Sequence, residues 1–237
     1  MKYLLGILLL MSLAFKSGDT KSVKPYSHSK LNMYGPSDVC MSEGGNSLYI
    51  VGDDGYLYET DLVGKVLRSS KRVGWDYEGV CQDEKFIYVA DERGRRVTLF
   101  DKVTFEPVKT FPVQYGGAMN YGFESITYNE TKKCFVMVSE KNPALLYEFD
   151  EKFQPFNQIE MNEIGEVSSA RYYKGFLYLL SDEKMTVYKL NPITYSIISK
   201  VKVPVNNPEG LCFDNEGNMI IVSDNMQSIY FFKNPEL

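Results

Sequence analysis

Histidine is almost missing from this chain: His28 is the single one among 237 residues. A histidine dyad is therefore excluded, and a Ser-His-Asp or Cys-His pair would have to draw on His28 alone. Tryptophan is equally scarce, with Trp75 as its only representative. Basic residues do not dominate either, since 26 Lys and Arg stand against 31 Asp and Glu for a net charge of −5. Without a basic stripe the chain is no nucleic-acid binder. Long apolar runs are lacking after Tyr3–Phe15, and those 13 residues fall short of the ~20 that a membrane-spanning helix needs. No stretch sustains a 3.6-residue apolar period, so very little helix is expected.

That early run follows Lys2 and precedes Lys16-Ser17-Gly18-Asp19. The order of charge, apolar run and small polar residues reads as an export signal over residues 1–20, with cleavage after Ala14 compatible with Ser12 upstream. An uncleaved membrane tether is the alternative. No cysteine follows the run to carry a lipid, and the protein is expected in the periplasm or cell envelope. Residues 21–237 read as one domain. Of the four cysteines, Cys40, Cys81 and Cys212 occupy the same place in three repeats, and Cys134 opens a strand in another. Equivalent places in separate repeats lie too far apart for bridging, so buried free thiols are expected.

The repeats themselves are five imperfect copies of one unit: residues 36–55, 76–95, 122–143, 166–184 and 208–225. Each is a short strand, a polar turn, and a second strand rich in Val, Ile, Leu and Tyr that ends on an acid. Aligning them places Ser37, Glu78, Glu124, Ser168 and Glu209 together, at gaps of 41, 46, 44 and 41 residues. It also groups Asp53, Asp91, Glu140, Asp182 and Asp224, 13 to 16 residues further on. A period of roughly 40–45 residues with several strands per unit predicts an all-β, five-bladed β-propeller of four-stranded antiparallel blades. The last copy has only three strands before the chain ends. A strand within Val23–Met33 is expected to fill the vacant edge and close the ring.

Antiparallel geometry gives the acids a common address. The start of the first strand and the end of the second lie at the same end of a hairpin, so both sets face one mouth. Glu78, Glu124 and Glu209 should converge on the axis, with Ser37 and Ser168 between them and the other set as a second, wider tier. Glutamates gathered without a cation repel one another. An oxygen-only donor set suits calcium, and the lack of sulfur and imidazole counts against zinc or copper. The opposing reading is that these acids cap strand ends and accept turn hydrogen bonds. Trp75 and Arg93 are placed on the same rim, where they would either grip a ligand or, for the arginine, pair with a neighbouring acid.

The phrases DYEGV…ADERGR, GFESITYN…SEKNP and PEGLCFDNEGNMIIVSDN resemble the SdiA-regulated domain family, the YjiK-like exported proteins of bacteria. The resemblance covers nearly the whole chain after the signal. It implies a five-bladed propeller with an N-terminal signal or membrane segment and a calcium ion in the ring, carried here onto Glu78, Glu124 and Glu209. Two functions stay open. One is a calcium-bearing recognition module, expected to be monomeric, for a small molecule, glycan, peptide or envelope protein. The other is a calcium-dependent hydrolase of lactone or phosphoester type, with Asp91, Glu92 or Glu140 activating water. Two further motifs are read as plain turns: Asn129-Glu130-Thr131, a formal glycosylation acceptor, and Asp214–Asn218, which lacks the distal Glu of an EF-hand.

Overall fold

The computed structural model describes residues 20–114, 122–139, 143–235 and 237. The export segment up to residue 19 lies outside them, as does Glu140. Among the described residues there are twenty strands and no helix, and hence no helix long and apolar enough to cross a membrane.

The strands form five four-stranded antiparallel sheets, each a blade of one propeller. β1 (Ser27–Lys30) precedes the first blade, which is β2 (Pro36–Met41), β3 (Leu48–Gly52), β4 (Leu57–Thr60) and β5 (Val66–Ser69). The second holds β6 (Tyr77–Gln82), β7 (Phe86–Asp91), β8 (Arg96–Asp101) and β9 (Pro107–Pro112), and the third β10 (Phe123–Asn129), β11 (Cys134–Ser139), β12 (Leu145–Phe149) and β13 (Pro155–Glu160). The fourth comprises β14 (Ser169–Tyr173), β15 (Phe176–Ser181), β16 (Thr186–Leu190) and β17 (Ile197–Lys202). The fifth contributes β18 (Pro208–Phe213), β19 (Met219–Ser223) and β20 (Ser228–Phe232), and β1 pairs with β20 as its outermost strand. The ring is thus closed by the N-terminal strand, inside the Val23–Met33 window.

Closure involves more than backbone pairing. Leu31 and Met33, just after β1, are buried at 4% and 7% exposure between the fifth and first blades, beside Val39, Ile50, Cys212 and Val222. Each of the other four blade-to-blade interfaces holds a comparable apolar cluster. Burying one such Leu or Ile side chain is worth about 1.5–3 kcal/mol, so the five clusters weld the blades into one body. All four cysteines are buried and free.

A repeated turn shapes the outer hairpin of four blades. Asp61, Asp101, Asp150 and Asn191 each accept two backbone N–H bonds from the following turn through Oδ1. The turn then needs a left-handed residue three or four places on, supplied by Gly64, Phe105, Phe153 and Tyr195. Both rejected motifs are also turns. Asn129 is fully buried and bonded to Pro192 O (2.7 Å), and Asp214 Oδ1 accepts from the Glu216 and Asn218 amides.

Candidate metal centre

Four of the five innermost strands carry the same irregularity at the same point. Pro36 pairs with Gly52 but Asp38 with Val51, leaving Ser37 as an extra residue; Glu78, Glu124 and Glu209 are extra in the same way. One additional residue in one strand is a β-bulge, which bends the strand and re-aims a side chain. The bulges therefore mark the positions that the repeat alignment singles out. The next residue inward forms a second ring, occupied by Asp38, Gly79, Ser125 and Gly210 behind the four bulges and by Ser169 in the unbulged β14. Two residues further on stand Cys40, Cys81, Thr127, Arg171 and Cys212.

Register corrects the outer tier in one blade. Counting two residues on from the partners of that second ring (Val51, Ala90, Leu180, Val222) gives Asp53, Glu92, Asp182 and Asp224 among the described residues. Glu92, and not Asp91, is the mouth acid of the second blade. Asp91 is instead the last residue of β7, paired with Tyr77 and buried at 2% exposure. Its carboxylate accepts from the Gly94 amide (2.8 Å) and from Arg96 (3.0 Å), which ties off the turn.

Three carboxylates come together at the mouth. The ligand oxygens of Asp53, Asp76 and Glu78 all lie within 4.8 Å of one another. Oxygen bonds to calcium of ~2.3–2.6 Å allow two ligands to stand about that far apart across one ion, so these three fit a hard divalent cation. Asp53 is steadied by the Ser37 hydroxyl, which donates to Oδ1 at 2.8 Å. Asp76 was not legible in the repeat pattern. It precedes β6 at the place of Gly35 in the first blade, as the matching bonds Glu92 N to Asp76 O and Asp53 N to Gly35 O make clear.

Burial and mutual repulsion raise the carboxyl pKa values of the group. Burial pushes the Glu78 carboxyl well above its usual value, and Glu124, Asp76, Asp53 and Glu209 all add to this. Glu124 and Glu209 are thus close enough to act on Glu78, although the compact group among the described residues is Asp53, Asp76 and Glu78. Asp76 is pushed up to about 6 by burial, against Arg93, with Glu92 and Asp53 raising it further. Asp224 is raised by burial and by Asp53. A cation would relieve all of these at once. Arg93 lies 2.7 Å from Asp76, and Trp75, 68% exposed, is its chain neighbour on the same rim. Arg93, which the sequence left between two readings, thus pairs with an acid, and Arg96 does the same with Asp91.

The SdiA-regulated family model matches residues 35–233. The chain belongs to the SdiA-regulated family. Among solved structures, the crystal structure of Myxococcus xanthus glutaminyl cyclase is similar at a TM-score of 0.70 and 11% identity, covering 90% of this chain and 98% of that one. Kuenenia stuttgartiensis hydrazine synthase is similar at 0.53 and 15% identity, over 83% of this chain and 57% of that one. Likenesses this distant in sequence carry the propeller fold alone.

Beneath the acidic mouth, this SdiA-regulated propeller plugs its own axis. Asp38 and Arg171, from blades one and four, form a buried pair with Arg171 Nη2 at 3.1 and 3.0 Å from the two carboxylate oxygens. The Asp38 carboxylate also accepts from Val80 N (3.0 Å), Ser169 (3.0 Å) and Ser125 (3.2 Å). Arg171 further donates to Leu211 O, Val80 O and Val39 O. All five blades therefore meet at one salt bridge. Gly79 and Gly210 make room for it: a Cβ at Gly79 would stand 2.8 Å from Ser125 Cα, and one at Gly210 2.7 Å from Asp38 Cα. His28, by contrast, is stacked on Tyr230 of the outermost sheet edge, with ring centroids 5.6 Å apart.

Proposed function

We propose that this SdiA-regulated propeller is an exported, calcium-binding recognition module whose acidic mouth holds the ion. The observation that carries the reading is the trio Asp53, Asp76 and Glu78, drawn from two adjacent blades, with ligand oxygens within 4.8 Å of one another. Glu124 and Glu209 add negative charge from further round the ring. The ion would neutralise the ring and cross-brace the first two blades. The exposed Trp75 and the adjacent Arg93 then supply an aromatic face and a cation beside it for a polar ligand such as a glycan, peptide or envelope component.

The test is thermal unfolding of the purified chain with and without calcium, for wild type, Asp53→Asn and Glu78→Gln. Calcium at a hundredfold excess over its dissociation constant should add ~2.7 kcal/mol, or about 5–11 °C for a domain of this size. Both variants should lose that response, and Glu78→Gln should melt above wild type once calcium is chelated because it removes a repelling charge. A wild-type midpoint indifferent to calcium would refute the reading. Calcium-dependent turnover of lactones or phosphoesters, abolished in Glu78→Gln, would move the assignment to the hydrolytic alternative.

A further inference from the structure

The Asp38–Arg171 pair separates the acidic mouth from a second chamber at the other end of the axis. This chamber has a volume of about 910 Å³, at the upper end of small-ligand pockets. Its floor is Arg171 with the thiols of Cys40, Cys81 and Cys212. Burial pushes the Cys40 thiol up to about 12 and raises the Cys81 and Cys212 thiols as well, so the floor carries neutral sulfur. Arg171 adds no free charge, because Asp38 neutralises it.

The walls are aromatic. Tyr173 stacks on Phe213 at 4.7 Å between ring centroids, Tyr88 lies 4.9 Å from Phe135, and Tyr128 and Tyr172 complete the lining. The rim is acidic, with Glu43, Asp83, Glu84, Glu130 and Glu151 all on the cavity surface. Among the described residues Glu43 pairs with Lys102 at 3.1 Å, and Lys102 also acts on Asp83. Burial disfavours the Asp83 anion, but hydrogen bonds from Tyr88, Phe86 and Lys85 hold its carboxyl below the usual value. Gln82 in the wall donates its amide nitrogen to Met41 O (2.7 Å). π-faces and carboxylates both favour the same partner, a cation with N–H groups.

We infer that this chamber is a second binding site, for a free small molecule carrying a protonated amine on an apolar, aromatic-sized body. The amine is met by the acidic rim, and the body lies against the tyrosine and phenylalanine walls. The site is independent of the metal centre, since the buried ion pair and the ring of Gly79, Ser125, Ser169 and Gly210 close the axis between them.

Titration calorimetry of the purified chain in calcium-containing buffer tests this, with 2-phenylethylammonium as the probe, 2-phenylethanol as its neutral counterpart and 3-phenylpropionate as the anion. The amine should bind about tenfold or more tighter than the alcohol, and the anion should give no binding heat. Replacing the exposed rim acids together (Glu84→Gln, Glu130→Gln, Glu151→Gln) should weaken the amine about fivefold or more without touching the core. Asp53→Asn with Glu78→Gln, at the opposite mouth, should leave its affinity unchanged. The inference is overturned if the amine does not bind, if all three probes bind alike, or if the mouth variant abolishes binding while the rim variant keeps it.

Discussion

Replacing Arg171 by Met should do more damage than any surface change in this protein, and its pH dependence should show why. The substitution keeps much of the apolar stem but removes bonds to Asp38, Leu211 O, Val80 O and Val39 O. Asp38, fully buried, keeps hydrogen bonds from Val80 N, Ser169 and Ser125 but has lost its countercharge. Breaking a buried pair in this one-sided way costs about 3–5 kcal/mol, which is about 6–20 °C in midpoint at ~2–4 °C per kcal/mol. Burial already pushes Asp38 upward, with Arg171 as the leading opposing influence. Without Arg171 the folded state should bind a proton more tightly than the unfolded one. The deficit is then largest at neutral pH and shrinks as pH falls through the raised native value toward the ordinary carboxylate range. Adding Asp38→Asn should recover part of the loss and remove its pH dependence. Denaturant unfolding of the three variants at pH 5 and 7.5 reads all of this. A single-variant cost below ~1 kcal/mol, or a deficit that does not change with pH, would refute a charged pair at the hub.

With calcium chelated, the wild-type chain should gain stability as pH drops from 7.5 to about 5. Asp76 at about 6 and the raised Glu78 hold protons more tightly in the folded state, so lowering pH relieves their repulsion, by about 1–2 kcal/mol. Saturating calcium should reverse the sign, because protons then compete with the ion; melting curves across this range check it. Gly79→Ala should destabilise by about 1–3 kcal/mol by forcing a methyl against the β10 backbone, while Gly175→Ala, where nothing lies within 4 Å but φ is +83°, should cost about 1 kcal/mol through the backbone alone. Leu31→Ala and Met33→Ala should each cost about 2–4 kcal/mol in denaturant unfolding, although both residues precede the first blade, because they fill the interface that closes the ring.

The repeat pattern made the fold legible: five copies, a missing outer strand and a polar N-terminal segment led directly to a ring closed by β1. Asp53 and Glu78, two of the three acids that come together, stood out for the same reason, since a shared register puts equivalent residues on one face. What repetition hides is whatever occurs once. Asp76, Asp38 and Arg171 stand where the other blades carry different residues, so averaging over copies passed them by. The Asp91–Glu92 string posed a narrower problem. Two adjacent acids at a strand end differ by one residue, and only the pairing of Asp91 with Tyr77 decides which reaches the mouth. The bulges were equally silent, because an extra residue in an innermost strand leaves no compositional mark.

The most direct measurement is calorimetric titration of calcium into the chelator-treated chain at neutral pH. One ion should bind per chain, with binding lost or weakened at least about tenfold in Asp53→Asn and in Glu78→Gln, while Asp91→Asn, whose carboxylate serves a turn, should bind calcium as wild type does. No heat of binding at millimolar calcium, or an affinity untouched by the Asp53 and Glu78 substitutions, would contradict a calcium site at this mouth.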